Sequence, residues 1–528
     1  MFWLLSMVLA LITVVDTCPI PCKCEDIDII MCSDQRLLEI PLLPKSTKQL
    51  YATHNMIQAL PDEGLEELLG LLNLHMLDLS DNYIKTLPRK FLYGLTKLQV
   101  LILNMNKIFS LSYGVLDGAP ALTDFQLRSN MIEMVEVGVF ENCTHLAKLY
   151  LFKGAIGLYH LDLSRNGLVA VPTSVLQDTL NLTSLYLQRN TISSISDKIF
   201  SEIPALKHLD LSHNALISMS NGSLRGLSQL GALDLRFNQL GTLTSHLFQD
   251  LVKLENLNLY HNKPMSLPNG VFNSLSRVTE LQLDSSNIFV IPPDIFHPLS
   301  ALHDLQLDNN HISELHSHTF MKLSKLKHLD LSNNDLVKIP KHLFKRTRHL
   351  RDLNLENNHI RYIPKLSFKH LVRLQTLKLN NNHLARPFAE LLTSLSHLRE
   401  LWLNENQIET IPIGLFTGLT NLKFLDLFNN KLHSISSDTF KDLSVLKELD
   451  LRFNTLDKLP DDIFTSLRNL KRLHLENNQL TRLPTEVGIS YTNNVLTVYG
   501  PNSVLVTQYC LKGVIKCFFK DHYFVYLV

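Results

Sequence analysis

The sequence predicts an α/β solenoid, in which short parallel strands form one sheet and irregular or helical segments return the chain behind it. Three observations carry that prediction. Asparagine recurs every 24 residues, at Asn166, Asn190, Asn214, Asn238 and Asn262, then from Asn310 through Asn334, Asn358, Asn382, Asn406, Asn430 and Asn454 to Asn478. Each asparagine sits in one frame, such as Leu425-Asp426-Leu427-Phe428-Asn429-Asn430-Lys431-Leu432. Cys18, Cys22, Cys24 and Cys32 stand ahead of the array with the spacing Cx3CxCx7C. A fixed period of this length marks stacked repeats, each burying its apolar face against the next.

The elements follow in order. Residues 1 to 17 are an apolar run of signal-peptide length that stops at the cysteines. In a secreted chain, four closely spaced cysteines imply two disulfides, and four allow three pairings. Residues 18 to 46 are therefore read as a cap over the open edge of the first repeat.

Residues 47 to 484 hold the repeats. Leu425 and Leu427 alternate with Asp426 and Phe428, so one strand face points inward and the other is exposed. The asparagine amide both donates and accepts, and can satisfy backbone groups where the chain leaves the strand. Ser286 stands at the one vacancy in the ladder, where a hydroxyl meets part of that demand. In the return segment Leu459-Pro460-Asp461-Asp462-Ile463-Phe464-Thr465-Ser466-Leu467, Phe464 and Leu467 are the expected inward anchors.

The ladder extends upstream through Asn55, Asn82, Asn106 and Asn130, but Gly154 occupies the next position and Asn166 follows after only 12 residues. Half a repeat is missing near 146 to 157, giving about 19 repeats with the truncated one included. This reading places a strand ending near Phe152 directly before Leu161-Asp162-Leu163, with a kink or bulge at 153 to 160; a shortened transcript is the alternative source of the gap. Cys143 falls on a core leucine position of the frame and reads as a small hydrophobe. Residues 485 to 528 contain strand-prone stretches interrupted by Lys516, Lys520, Asp521 and His522, too often for a membrane span. They read as a short β cap or an altered terminus, and Cys510 and Cys517 leave a local disulfide open.

Iterated frames of the form LxxLxLxxNxL define leucine-rich repeats, so the expected shape is a horseshoe with a concave parallel sheet. Residues 18 to about 484 resemble secreted vertebrate leucine-rich repeat proteins, and the Cx3CxC start with its uniform 24-residue repeats looks most like the small leucine-rich proteoglycan group. That resemblance implies the pairing Cys18 to Cys24 and Cys22 to Cys32, and an extracellular matrix protein that binds growth factors. The member most resembled implies inhibition of transforming growth factor beta signalling. The alternative resemblance is to non-catalytic regulatory or carrier subunits of secreted enzymes, such as that of carboxypeptidase N, and to adhesion or receptor ectodomains. Those close with a CxC pair, which this chain lacks after Asn478.

Lys plus Arg and Asp plus Glu number 50 each, so net charge offers no case for nucleic acid or a membrane surface. Local patches matter more. The exposed strand positions give Glu280, Gln282 and Asp284, then Asp304, Gln306 and Asp308, then His328, Asp330 and Ser332, then Asp352, Asn354 and Glu356. Trp402, Phe424 and Phe428 follow, aromatics of the kind that anchor interfaces, with Arg452, Arg472 and His474 beyond. A basic protein is the expected ligand of this acidic and aromatic surface.

The return segments carry Lys338, Lys341, Lys345, Arg346, Arg348, Arg351, Arg361, Lys365, Lys369 and Arg373, which read first as a solvated outer face and alternatively as a site for a sulfated glycosaminoglycan. Asn142, Asn181 and Asn221 head N-glycosylation sequons. No HExxH, GxSxG or phosphate-loop pattern is present, and the 23 histidines are scattered through repeat slots. The sequence therefore predicts no catalytic residue, no metal or cofactor site and no lipid anchor, in a freely secreted protein.

Overall fold

A computed structural model describes residues 18 to 484, apart from 27, 63 to 70, 133, 137 to 138, 140 to 158, 173 to 175, 177 to 179, 264 and 483; beyond 484 it describes the backbone of Leu496–Tyr499, Leu505–Leu511 and Val514–Phe518. The chain forms two compact units, Met1–Asn258 and Leu259–Val528. Each repeat contributes a three-residue strand whose middle leucine or phenylalanine is buried, as in Asp304–Gln306 and Asp352–Asn354. Nine such strands lie in each unit, from Gln49–Tyr51 to Asn256–Asn258 and from Glu280–Gln282 to Arg472–His474, and eighteen strands bound the seventeen turns of a solenoid. Described helix in the returns is limited to the short 3-10 turns Ala389–Leu391 and Ser437–Phe440 and one turn position at Leu176. Pro340 and Pro364 at the heads of two returns suit this extended or one-turn geometry.

The asparagine ladder explains the register. Asn358 Nδ2 donates to the carbonyls of Leu331 at 2.9 Å, Leu355 at 3.2 Å and Glu356 at 3.1 Å, and Leu336 N–H donates to its Oδ1 at 3.0 Å. The same set recurs at Asn334, Asn382 and Asn406. The residue before each ladder asparagine is left-handed, with φ of 52° at Asn309, 51° at Asn333 and 53° at Asn357. Asparagine tolerates that conformation better than other residues with a side chain, which accounts for the Asn-Asn pairs of the second unit.

Ser286 is fully buried and donates toward Leu259 O and Asp284 O, both at 3.1 Å, while Asn262 N–H donates to its Oγ at 3.3 Å. An asparagine there would offer its Oδ1 to residue 264, which is a proline and has no N–H. Serine suffices because the missing acceptor has no donor to serve.

Behind the sheet, Phe272, Phe296, Phe320, Phe344 and Phe368 are buried one above another with ring centroids 5.9 to 6.4 Å apart. Leu392 interrupts this spine before Phe416, Phe440 and Phe464 resume it. Phe464 and Leu467 are the buried anchors expected of the return segment.

At the amino end, Cys18 is bonded to Cys24 and Cys22 to Cys32. Lys23–Asp26 pairs antiparallel with Ile29–Met31, which pairs parallel with Gln49–Tyr51 and so covers the sheet edge. At the carboxyl end, Leu496–Tyr499 pairs parallel with Arg472–His474, and Leu505–Leu511 and Val514–Phe518 add antiparallel strands. Cys510 lies opposite Ile515 and Cys517 opposite Gln508, so their backbones are two rungs out of register.

The neighbour of His160–Asp162 in the sheet is Asp124–Gln126, in register with Asp124 opposite His160. Asn166 takes over from Asn130 directly, donating to Leu127 O at 3.2 Å and accepting from Ile132 N–H at 3.0 Å. The expected strand ending near Phe152 and most of the expected kink fall on residues 140 to 158, which lie outside the described residues with Asn142 and Cys143, as does the apolar stretch 1 to 17.

Candidate ligand-binding face

The second unit carries the acidic positions on four successive parallel strands, paired Glu280 to Asp304, Asp304 to His328 and His328 to Asp352. Neighbouring strands are about 4.8 Å apart. Glu280, Asp284, Asp304, Asp308, Asp330, Asp352 and Glu356 thus share one face. Asp308 is pushed up to about 6 by burial first, then by Asp330 and Asp284. Burial and then Asp330 raise Asp284 as well, against a backbone hydrogen bond that lowers it. The charge of Asp330 discourages ionisation of Asp284 and Asp308, and an incoming cation would relieve those two.

The seven are not equivalent. Asp330 Oδ1 accepts from Ser332 N–H at 2.8 Å and from its hydroxyl at 2.6 Å, and Oδ2 accepts from Asn354 Nδ2 at 3.0 Å. Asp78, Asp162, Asp210, Asp234, Asp426 and Asp450 each hold the amide two residues on in the same way. This middle column is part of the turn out of the strand. Asp352 is held by His328 Nδ1 at 2.7 Å, Asp304 by Gln306 Nε2 at 2.5 Å and Asp308 by Asn309 Nδ2 at 2.5 Å. Glu356 lies 3.9 Å from Lys378.

Farther along, Trp402 packs on Phe424 with centroids 4.4 Å apart. Phe428 meets Phe453 edge-on at 5.3 Å, and the Arg452 guanidinium sits 5.3 Å over its ring. Trp402, Phe424 and Phe428 are half-buried rather than fully exposed: the first two cover each other, and Phe453 and Arg452 cover Phe428. Asp426 beneath them is pushed up to about 6 by burial, against the Phe428 N–H that stabilises its charge. Trp402 Nε1, Asn380 Oδ1 and Asn404 Oδ1 are enclosed with no hydrogen-bond partner. Enclosed polar atoms without partners are costly, and a ligand that supplies them gains accordingly.

On the returns, Lys341, Lys345, Arg346, Arg348, Arg351, Lys365, Lys369 and Arg373 are all exposed. Only Lys365 among these eight forms an ion pair, with Glu390 at 3.4 Å. His370 is lowered by burial first and then by Arg348, Lys369, Lys345 and His342, which places those cations around it. Asn221 is exposed and its Oδ1 accepts from His246 N–H at 3.2 Å, whereas Ser223 of the same sequon is buried. Asn181 is half-buried.

Sequence reasoning did not single out Asp426, Phe453, Asn380 or Asn404. Phe453 and Asn404 sit at other positions of the same 24-residue frame, and reading every column of that frame would have placed them beside Phe428 and Trp402. Among the described residues, no cluster of histidine, cysteine or carboxylate groups is arranged to hold a metal, and no helix is long and apolar enough to cross a membrane.

Leucine rich repeat matches cover residues 45–108, 72–132, 156–216, 276–336, 324–384, 396–456 and 444–488. The chain belongs to the leucine-rich repeat family. This leucine-rich repeat protein is similar in structure to one from Leptospira interrogans, at 27% identity and TM-score 0.54, over 81% of this chain and 91% of that one. It is also similar to a chain of the Toll–Spatzle complex of Drosophila, at 21% identity and TM-score 0.73, over 86% of this chain and 62% of that one. A third similarity is to YopM from Yersinia enterocolitica, at 20% identity and TM-score 0.53, over 84% and 91%. No curated protein matches the sequence. Repeats of this family present a surface for protein binding, and that is the class of function this leucine-rich repeat protein has.

Proposed function

We propose that this protein is a secreted, non-catalytic binder whose exposed sheet face between Glu280 and Phe428 captures a basic protein ligand. The observation that carries the reading is the adjacency, on hydrogen-bonded parallel strands, of seven carboxylates to an aromatic cluster with unpartnered polar atoms. Cationic side chains of the ligand would meet Asp284, Asp304, Asp308, Asp352 and Glu356, and an apolar anchor would meet Trp402, Phe424 and Phe428. Two disulfides in the cap favour an oxidising, extracellular setting. The resemblance of the array to nephrocan supports a finer version, a matrix protein that sequesters a growth factor and restrains transforming growth factor beta signalling.

Capture from extracellular fluid by the full chain, at low and high salt, tests the reading. A basic protein released by salt is the expected result, lost on combined replacement of Asp304, Asp308 and Asp352 by Asn and Glu356 by Gln. Trp402→Ala should cost about 2 kcal/mol or more if the tryptophan is a hot spot. Unchanged capture by both variants would sink the assignment of this face, and copurification of an enzyme would turn it toward a carrier subunit. Unaltered transforming growth factor beta reporter activity with saturating protein would remove the finer version alone. The exposed basic returns support a second contact, with a sulfated glycosaminoglycan.

A further inference from the structure

We propose that the sheet edge from Lys327 to Lys471 is the docking line for a linear sulfated polysaccharide. This deepens the glycosaminoglycan contact of the preceding reading by moving its centre from the return segments to a residue column that the basic patch only flanks.

The column is defined by backbone hydrogen bonds. Arg351 N–H donates to Lys327 O at 2.8 Å, Gln375 to Arg351 at 2.7 Å, Arg399 to Gln375 at 2.8 Å, Lys423 to Arg399 at 2.8 Å, Lys447 to Lys423 at 2.8 Å and Lys471 to Lys447 at 2.7 Å. These residues are direct neighbours in seven successive turns, and six of the seven are cations. Six steps of about 4.8 Å make a line about 29 Å long. Lys327 is half-buried, while Arg351, Arg399, Lys423, Lys447 and Lys471 are exposed.

The fold does not require this charge. In the first unit the same ladder position runs through Lys48, His75, Gln99, Thr123, Tyr159, Thr183, Lys207, Gly231 and Glu255, with equivalent bonds of 2.7 to 2.9 Å, and just two of those nine are lysine or arginine. Nor is the charge consumed internally. Ion pairs of lysine and arginine in the second unit use Lys365, Lys378, Arg386, Arg452, Arg472 and Arg482, and none of the six edge cations joins one among the described residues. Carboxylates beside the line are occupied in two cases, Asp352 by His328 and Glu448 by Arg472, with Glu400 remaining next to Arg399 and Lys423. Lys325, Arg348 and Arg373 extend the positive field outward at the near end, and Lys327 and Lys325 contribute to lowering His303, after burial.

Aligned like charges one rung apart repel, so six in register favour an occupant with regularly spaced anions and no fixed sequence. A polysaccharide bearing sulfates along an extended chain meets that need. A basic protein would be rejected here, so the edge and the acidic sheet face select different partners.

Heparin-derived oligosaccharides of graded length, titrated onto the full chain, test the proposal. Affinity should climb with length until the oligosaccharide spans about 29 Å and then level. By the counterion-release rule, about six contacts should weaken binding roughly a thousandfold between 50 and 200 mM salt. Replacing Lys327, Arg351, Arg399, Lys423, Lys447 and Lys471 by Gln, the residue native at 375, should abolish most binding and flatten the salt slope. A smaller variant, Arg399, Lys423 and Lys447 to Gln, guards against failure to fold and should lose roughly tenfold or more. The contrasting variant, Lys341, Lys345, Arg346, Lys365 and Lys369 to Gln, removes flanking cations only and should lose less affinity than the three-residue edge variant, with the length dependence intact. The reverse pattern would overturn the docking line while leaving the glycosaminoglycan contact on the returns. Absence of heparin binding by the parent would overturn both. Equal competition by single-stranded DNA of matched length and charge would overturn the assignment to a sulfated sugar.

Discussion

Replacing Asn358 by alanine isolates what one rung of the ladder contributes. Its Nδ2 serves Leu331 O and Leu355 O, but Leu331 O also receives Asn334 Nδ2 at 3.2 Å and Leu355 O also receives Asn382 Nδ2 at 2.9 Å. Glu356 O keeps Asn333 N–H at 3.0 Å. Each carbonyl therefore retains a donor, and the orphan is Leu336 N–H, whose acceptor was Asn358 Oδ1. A buried donor left without a partner costs about 1 to 3 kcal/mol, and the two weakened carbonyl contacts add about 0.5 to 1.5 kcal/mol each, so a loss of about 2 to 6 kcal/mol is expected. Asn358→Ser should recover only part, because at 286 the serine hydroxyl accepts from Asn262 N–H, two residues short of the position equivalent to Leu336. The converse change, Ser286→Asn, should be near neutral, since Pro264 offers no hydrogen. Urea unfolding gives the energies, and hydrogen exchange of the Leu336 amide gives the mechanism. If Asn358→Ala stayed within about 0.5 kcal/mol of the parent with Leu336 still protected, the assignment of that orphan would be wrong.

Three further outcomes follow from packing, backbone and charge. Phe320→Ala should lose about 3 to 5 kcal/mol in urea unfolding, because its ring is fully buried between Phe296 and Phe344; a loss below about 1 kcal/mol would mean that the spine collapses to fill the space. Glu405, left-handed with φ 52°, should gain up to about 1 kcal/mol on replacement by Asn, and destabilisation would count against the backbone explanation of the Asn-Asn pairs. Asp308 is pushed up to about 6 by burial, above its unfolded value of about 3.9, so the folded protein binds that proton more tightly and stability falls as pH rises from about 4 to about 6. Asp308→Asn should therefore stabilise the protein more at pH 7 than at pH 4, read from paired thermal melts, and an equal effect at both would refute the shift. The same sign makes capture of a basic ligand strengthen as pH rises through about 6.

Much of the fold was legible because its main constraint is written in single residues. Asn358 must stand where three carbonyls and one amide converge, and Phe464 and Leu467 must fill the space behind the strand, so spacing alone located them. The ladder bond passes from Asn130 to Asn166, while the half-repeat expected between them lies outside the described residues. The ligand face was legible as a list of columns and illegible as energies. Nothing in the sequence tells that Asp330 is engaged by Ser332 and Asn354 while Asp284 is raised by burial, or that Trp402 Nε1 is enclosed without an acceptor.

The two units supply an internal control that decides which surface residues belong to the fold. The middle strand column keeps aspartate in both, at Asp78, Asp162 and Asp210 as at Asp330, Asp426 and Asp450, because each caps the amide two residues on. Substituting that column would damage the turn as well as any binding, and a lost affinity there could not be assigned. The flanking columns behave differently. Met76, Val100 and Ala232 in the first unit hold the strand position that Asp304, His328 and Asp352 hold in the second, with the same strand pairing. Positions that change chemistry under an unchanged backbone are free to answer to a partner, and for that reason Asp304 and Asp352 on the sheet face, and Arg399, Lys423 and Lys447 on its edge, are the substitutions that separate recognition from folding.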